Sequence, residues 1–173
     1  MKVLLNAKEF DITLQRLAHE LLEHHNNFEE TAIIGIQPRG VLLSDRLVAI
    51  LEAITGNKNI RYGKLDITFH RDDVHTSGAL HVPSVNDMPF STEGRNIILI
   101  DDVLHTGRTI RAAMDAILAY GRPSRIELLT LVDRKFSREL PVQSDYTGRS
   151  IDTISTQRVV VEWEPEARIL LID

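Results

Sequence analysis

The chain has 173 residues, 43% of them hydrophobic, with a formal net charge of −5 and no cysteine. This length suits one domain (1–173) with a core of its own, and the lack of cysteine excludes disulfides, thiolate metal sites and cysteine nucleophiles. The negative charge disfavours nucleic-acid binding through a general basic surface but leaves room for a local basic patch. With no run of about 18 apolar residues and no export signal, we expect a soluble, cytoplasmic protein without membrane contact.

The first third of the chain alternates helix and strand patterns. Asn6 and Glu9 have the spacing of a capping box, and apolar residues at helical intervals predict a helix from about 7 to 24. The short apolar run TAIIGI (31–36) predicts a strand. VLLSDRLVAILEAI (41–54) has apolar residues at helical intervals and predicts a second helix.

The middle of the chain continues this alternation after one long interruption. IRYGKLDITFH (60–70) is rich in strand formers, and the polar stretch 71–94 is long enough to predict a functional loop. NIILID (96–101), a helix from about 109 to 120 and RIELLTLVD (125–133) then form a predicted strand, helix and strand.

Two further strands are predicted near the C-terminus, RVVVEW (158–163) and ARILLI (167–172). Alternating strands and helices predict an α/β fold with a mostly parallel sheet and helices on both faces. Ligands of such sheets bind beyond the carboxyl ends of the strands, where residues 101–109 are expected to lie.

The segment IILIDDVLHTGRT (97–109) has the composition of a sugar-phosphate site. A loop of small hydroxylated residues and glycine at a helix start binds anions through unpaired N–H groups. Asp101 and Asp102 beside it would repel a lone phosphate, yet carboxylates are strong acceptors for the vicinal hydroxyls of a ribose. The segment lacks the glycine pattern of dinucleotide folds and the ending of a P-loop. The alternative is that the two acids cap a helix or bind magnesium, and that the loop is an ordinary turn.

The same segment resembles the motif by which type I phosphoribosyltransferases bind phosphoribosyl diphosphate (PRPP). The resemblance implies that fold, with a small hood and a flexible loop. It also implies that the two acids hold the ribose hydroxyls, and that GIQPRG (35–40) binds the diphosphate. The PRPP-binding residues implied are Arg39, Gly40, Asp101, Asp102, Thr106, Gly107, Arg108 and Thr109.

Segments along nearly the whole chain resemble the PyrR family within the type I enzymes. They are LDITFHRDD (65–73), AYGRPSRIELLTLVDR (119–134) and RELPVQSDYTGRSIDT (138–153). The resemblance implies a bifunctional protein: a uracil phosphoribosyltransferase that forms UMP, and a regulator of pyrimidine biosynthesis genes. It also places the flexible loop at about 71–94, with Arg71 a catalytic residue, and the hood at about 134–157.

The resemblance assigns the base site to Val132, Asp133, Tyr146 and Thr147. Purine-salvage relatives carry a lysine where Asp133 stands, and a carboxylate cannot donate to a purine oxygen. Tyr146 occupies the position of an aromatic that stacks on the base. The two residues together favour a pyrimidine, although a salt bridge for Asp133 and core packing for Tyr146 are equally good explanations taken singly.

The implied reaction joins uracil to PRPP and releases diphosphate, with magnesium bound to the substrate's oxygens and no certain ligand from the protein. Arg39 and the closing loop would stabilise the leaving group, while Asp101 and Asp102 hold the sugar. His105 stands where purine-specific relatives have an acid. It is either a general base or, as we favour, a spacer that lines the loop.

The resemblance also implies a basic RNA-binding surface formed by Arg16, His19, Arg138 and Arg149, which binds operon leader RNA with UMP or UTP. Gln143 stands where a further basic residue is expected, which counts against RNA binding. The family further suggests a dimer or larger homo-oligomer. The alternatives are a hypoxanthine or xanthine type of purine transferase, and an inactive nucleotide-sensing RNA-binding protein.

Overall fold

A computed structural model describes residues 1–72 and 84–173. Strands and helices alternate through these ranges much as predicted. Two 3-10 turns, Thr68–His70 and Leu118–Tyr120, accompany them. In chain order the other elements are β1 (Lys2–Leu5), α1 (Ala7–His25), β2 (Thr31–Ile36), α2 (Arg39–Thr55), β3 (Arg61–Leu65), β4 (Asn96–Leu104), α3 (Arg108–Ile117), β5 (Arg125–Lys135), β6 (Tyr146–Asp152), β7 (Arg158–Glu162) and β8 (Arg168–Ile172).

The larger sheet has the strand order β3-β2-β4-β5-β6, and its strands are all parallel. One buried cluster joins α1 and α2 to this sheet, and a second joins α3 to it. β2 and most of β4 and β5 are continuously buried, as strands covered by helices on both faces must be. The predicted α/β fold is therefore confirmed.

A smaller antiparallel sheet, of order β1-β8-β7, forms the hood. Its anchor is Trp163, whose ring lies edge-on to Phe10 of α1 and beneath the guanidinium of Arg46. The short N-terminal apolar run, which we had not predicted to be a strand, supplies β1. The predicted hood at 134–157 needs correction, because residues 146–152 form β6 and pair in parallel with β5 in the main sheet.

The long loop predicted at 71–94 is only partly described, since residues 73–83 lie outside the described ranges. Its C-terminal part is bound to the fold. Asp87 exchanges backbone hydrogen bonds with Lys64 of β3, and the N–H of Thr92 donates to the carbonyl of Tyr120 at 2.9 Å. Thr92 is fully buried. These contacts join residues 87–94 to β3 and to the turn Leu118–Tyr120.

A buried polar cluster lies at the amino ends of the parallel strands. His25 Nε2 is 2.7 Å from a carboxylate oxygen of Glu127, and its Nδ1 is 3.0 Å from the hydroxyl of Thr31. Tyr146 donates its hydroxyl to the same carboxylate at 3.1 Å, and Arg125 pairs with the other oxygen. Burial lowers the pKa of His25 against the opposing attraction of Glu127.

This lowered pKa predicts a loss of stability in mild acid that His25→Gln should reduce. As the pH falls below 6.5, the unfolded chain takes up a proton that the buried imidazole resists, so the free energy of unfolding decreases. We expect a smaller decrease in the variant when urea unfolding is compared at pH 7.5 and 5.5. The exposed His19 provides the control, His19→Gln. Equal decreases in wild type and His25→Gln would contradict the prediction.

Candidate active site

Asp101 and Asp102 lie on the last part of β4, beyond the point where its pairing with β2 ends. β4 pairs with β2 as far as Ile100, and with β5 as far as Leu104. It therefore continues through Asp101 and Asp102, whereas the sequence predicted that it would end at the first acid. Because β2 stops earlier, both acids face a cleft at the carboxyl edge of the sheet, as expected for this fold.

The two carboxylates are buried and incompletely bound. Asp101 and Asp102 are 7% and 5% exposed. The N–H of Asp102 donates to Oδ1 of Asp101 at 2.9 Å, but within the described residues Oδ2 of Asp102 accepts no hydrogen bond. Arg39 Nη1 approaches this oxygen only to 4.0 Å. A buried oxygen without a donor marks a position where a ligand hydroxyl or a cation fits.

Burial raises the pKa of Asp101 well above its usual value, and the neighbouring charge of Asp102 adds to the rise. Burial also raises the pKa of Asp102, against the opposing charge of Arg39. Arg39 and Arg71 oppose the rise at Asp101. Burial of the pair thus disfavours two negative charges, and donors supplied by a ligand would stabilise both.

The phosphate loop surrounds a cavity of about 330 Å³ at the start of α3, lined by Thr106, Gly107, Arg108 and Thr109 among others. Gly107 has φ 93°, in the left-handed region that glycine adopts without strain. The N-cap residue Gly107 has no side chain to cap this helix, so the first N–H groups of α3, whose residues line the cavity, are available to a ligand. By contrast, α1 begins far from the cleft with the predicted capping box of Asn6 and Glu9.

The side chain of Arg108 is held by two carboxylates at this cavity. Its Nη1 is 2.6 Å from Asp72 and its Nε is 2.6 Å from Glu139. The bonds to Glu139 and then to Asp72 raise the pKa of its guanidinium. The N–H of Arg108 is held only weakly, 3.4 Å from the hydroxyl of Thr106, so its backbone is the part available to a phosphate.

The β2–α2 loop forms the other side of the acid pair. A second cavity, of about 350 Å³, is lined by Gln37, Arg39 and Arg71 as well as both acids. Helix α2 starts there without a side-chain cap, after a cis Gln37–Pro38 peptide bond. Gly40 has a packing role, because an added Cβ would lie 2.3 Å from the carbonyl oxygen of Ile100.

The predicted base-binding residues are not brought together at the cleft. Val132 is fully buried in the core, and Asp133 is ion-paired with Arg138. The carbonyl of Thr147 accepts a hydrogen bond from Arg16 on α1 at 3.0 Å. Asp133 thus lies near the cleft as a salt-bridge partner, which is the alternative that the sequence had left open.

The prediction that Tyr146 stacks on the base is wrong. Its ring is 3% exposed and belongs to the buried cluster with His25 and Glu127. Tyr146 starts β6 and pairs with Leu129, well before Asp133 at the carboxyl end of β5. The structure therefore places the ring inside the domain, and only core packing remains as its role.

The predicted RNA-binding residues fall in two places. Arg16 and His19 lie on the exposed side of α1, and Arg149 on the neighbouring β6 donates to the carbonyl of Leu4 at 2.7 Å. Arg138 is held by Asp133 and by the carbonyls of His105 and Val142, beside the phosphate loop. We therefore remove Arg138 from the predicted surface.

Several residues that line the second cavity were missed by the sequence analysis, and they come from segments far apart in the chain. Arg134 ends the quoted segment 119–134, and Arg158 and Val159 begin a predicted strand, so these segments were noticed but the orientation of their side chains was not. The missed residues are Ile36, Gln37, Pro38, Ile67, Val103, Arg134, Arg158 and Val159.

His105 contributes to three adjoining cavities of the cleft, the third of about 310 Å³. Burial and then the nearby charge of Arg134 lower its pKa.

Within residues 1–72 and 84–173, no three His, Cys, Asp or Glu side chains are grouped so as to hold a metal ion. No helix in these ranges is long and apolar enough to cross a membrane.

The chain is similar to known proteins along nearly its whole length. A family model described as a phosphoribosyl transferase domain matches residues 2–167. Proteins named bifunctional protein PyrR are similar along nearly the whole chain. The one from Elusimicrobium minutum is 43% identical and covers 99% of this chain and 96% of its own. The one from Enterococcus faecalis is 41% identical and covers 94% and 90%.

Solved structures support the fold. A hypoxanthine phosphoribosyltransferase from Trypanosoma cruzi superimposes with a TM-score of 0.74, covering 98% of this chain and 94% of its own. At 16% identity, this likeness concerns the fold alone. Taken with the acid pair and its phosphate loop, these matches establish that the chain belongs to the phosphoribosyltransferase family, in the group of proteins named bifunctional protein PyrR.

Proposed function

We propose that the chain transfers the phosphoribosyl group of PRPP to uracil, forming UMP and diphosphate. The observation that carries this proposal is the buried acid pair, with one oxygen unbound, between two helix starts without side-chain caps. Such a site matches a ribose that carries phosphate on one side and diphosphate on the other. The relatives named bifunctional protein PyrR support a second, regulatory role.

The chain's own groups would bind PRPP in three places. Asp101 and Asp102 would accept hydrogen bonds from the ribose hydroxyls, which compensates the burial of both carboxylates. The amide groups at the start of α3 would hold the 5′-phosphate. The amide groups at the start of α2, with Arg39 and Arg71, would hold the diphosphate.

The reaction needs little covalent chemistry from the protein. N1 of uracil bonds to C1′ of the ribose, the C1′–oxygen bond to diphosphate breaks with its electron pair, and the N1 proton is released. The basic side chains would stabilise the negative charge that develops on the diphosphate. Magnesium would come with PRPP, take most of its ligands from the diphosphate and ribose oxygens and neutralise the diphosphate, because the described residues offer no group of three His, Cys, Asp or Glu that could hold the ion by itself.

We expect His105→Phe to leave the shape of the pH–rate profile unchanged. Burial lowers the pKa of His105, so a general base at this position would give an acid limb below pH 6.5, whereas a spacer gives none. The measurement is kcat/KM for uracil from pH 5 to 8 in wild type and variant. Loss of an acid limb in His105→Phe would instead identify a general base.

A panel of bases tests the enzymatic proposal. Purified protein is mixed with PRPP, magnesium and, separately, uracil, hypoxanthine, guanine, xanthine or orotate, and nucleotide formation is followed. UMP formed from uracil alone is the expected result. A purine nucleotide instead would mean a purine transferase, the first alternative. PRPP binding without turnover of any base would favour the second alternative, an inactive sensor.

The proposed regulatory activity is binding of pyrimidine-operon leader RNA in the presence of UMP or UTP, by a homodimer or larger assembly. Its surface would include Arg16, His19 and Arg149, which stay on one side of α1 and β6 after Arg138 is removed. A gel shift with the cognate leader and UMP at low salt tests it, and sedimentation gives the oligomeric state. Arg149→Gln should weaken the complex more than Lys58→Gln, which changes an exposed lysine in the loop after α2.

A further inference from the structure

Arg134 is a buried arginine beside the cleft with no acidic partner. It is 6% exposed, and within the described ranges no carboxylate lies at ion-pair distance from its guanidinium. Its Nε donates to the hydroxyl of Thr153 at 3.0 Å, and its Nη2 donates to the carbonyl of Gln157 at 2.9 Å. These two bonds fix the guanidinium plane, and further N–H groups are left for another acceptor. A buried cation held in this way is suited to a ligand.

The strand order places Arg134 on the side of the acid pair opposite the diphosphate site. β4 carries the acids and lies between β2, which leads to Arg39, and β5, which carries Arg134. The entering N1 and the leaving diphosphate must lie on opposite sides of C1′ for an in-line displacement. If Arg39 marks the leaving-group side, the base therefore belongs on the side of β5.

The walls around Arg134 suit a flat, uncharged ring. Val103 and Val159 line the same cavity as Arg134, as does Ile67, and they provide apolar contact for the faces of a base. The polar group at its edge must then be recognised by a donor, since arginine has no acceptor. Asp133, ion-paired with Arg138, cannot serve as that donor.

We infer that Arg134 is the residue that recognises the base, through a hydrogen bond from its guanidinium to a ring carbonyl oxygen. This inference rests on the proposed function and names its specificity residue. Uracil offers carbonyl oxygens at C2 and C4, whereas cytosine has an amino group at C4 that only donates. A donor aimed at the C4 substituent thus favours uracil over cytosine. A donor aimed at the C2 oxygen would favour neither base, because both carry a carbonyl there.

Sulfur substitution in the base provides the test, because a thiocarbonyl is a weaker acceptor than a carbonyl. We measure kcat and KM for uracil, 2-thiouracil and 4-thiouracil in wild type, Arg134→Met and Arg134→Lys. In wild type one thio-base should be used less well than uracil. In Arg134→Met the KM for uracil should rise about 10- to 100-fold, the value for losing a charged hydrogen bond, and the preference for uracil over that thio-base should disappear. Arg134→Lys should retain part of the preference.

Controls separate this role from support of the hood. Arg168→Met removes an exposed arginine of β8 and should leave KM unchanged. PRPP affinity and the unfolding temperature show whether a variant is folded. If wild type uses uracil and both thio-bases equally, or if Arg134→Met keeps the wild-type preference, the inference is wrong although the enzymatic proposal stands. If wild type forms no UMP at all, the enzymatic proposal fails first. If Arg134→Met does not fold, the preference for uracil over the thio-bases in wild type and in Arg134→Lys tests the inference instead.

Discussion

Asp102→Asn is expected to lower kcat/KM for PRPP by about 100-fold or more, without unfolding the protein. The variant replaces a charged acceptor by a neutral one at the position proposed for a ribose hydroxyl, and charge-assisted hydrogen bonds are each worth about 1.5–3 kcal/mol. Stability should be unchanged or higher, because the wild-type carboxylate is 5% exposed with one oxygen unbound. Steady-state kinetics and thermal unfolding measure the two effects.

Asp115→Asn is the matched control for this variant. Asp115 lies on α3 and is about half exposed, and within residues 1–72 and 84–173 its one ion pair is with Arg111 one turn away, so its loss should change neither activity nor stability appreciably. Near-normal turnover by Asp102→Asn would remove the proposed ribose-holding role. A large drop in unfolding temperature would show that the carboxylate supports the fold instead.

Gly40→Ala is expected to damage both stability and activity. Its Cβ would lie 2.3 Å from the carbonyl oxygen of Ile100 and 3.1 Å from Cα of Asp101, so α2 must move away from β4. Overpacking of this kind costs about 1–3 kcal/mol. Because α2 carries Arg39 and β4 carries the acids, the same movement separates the two halves of the PRPP site. We expect kcat/KM for PRPP to fall by at least about 10-fold, since misplacement by about 1 Å is costly in active sites.

Gly56→Ala gives the comparison, because it adds a methyl group at the other end of the same helix. Gly56 has φ 72° and nothing within 4 Å of the added Cβ, so the change costs backbone strain of about 1 kcal/mol without a clash. Activity measured well below the unfolding temperature should match wild type. If Gly40→Ala were as active as Gly56→Ala, the close approach of α2 to the acid strand would not matter for PRPP.

Much of the site was predictable because its parts are contiguous in sequence. The acid pair and the phosphate loop follow one another within residues 97–109, and the physics that links them, a strand end followed by a helix start, is local. The strands and helices were predictable for a similar reason. The apolar run 31–36 reflects a strand that is buried on both faces. The helical periodicity over 7–24 reflects a helix that is buried on one face.

The part of the cleft proposed to bind the base could not be predicted from the sequence, because it combines residues that only the tertiary structure brings together. The polar pattern of residues 146–152 is equally compatible with a hood segment and with the exposed edge strand that it forms. Residues 146–152 pair with β5, and this pairing buries Tyr146 instead of presenting its ring to a ligand.

The sequence by itself determined the fold class, the sugar-phosphate motif and the family. Only the tertiary structure decided which side chain near the end of β5, that of Asp133 or that of Arg134, belongs with the cleft. Successive residues on a strand point to opposite sides, so a change of phase by one residue exchanges Asp133 and Arg134. The packing of β5 between β4 and β6 sets this phase, and it leaves Asp133 paired with Arg138 while Arg134 lines the cleft.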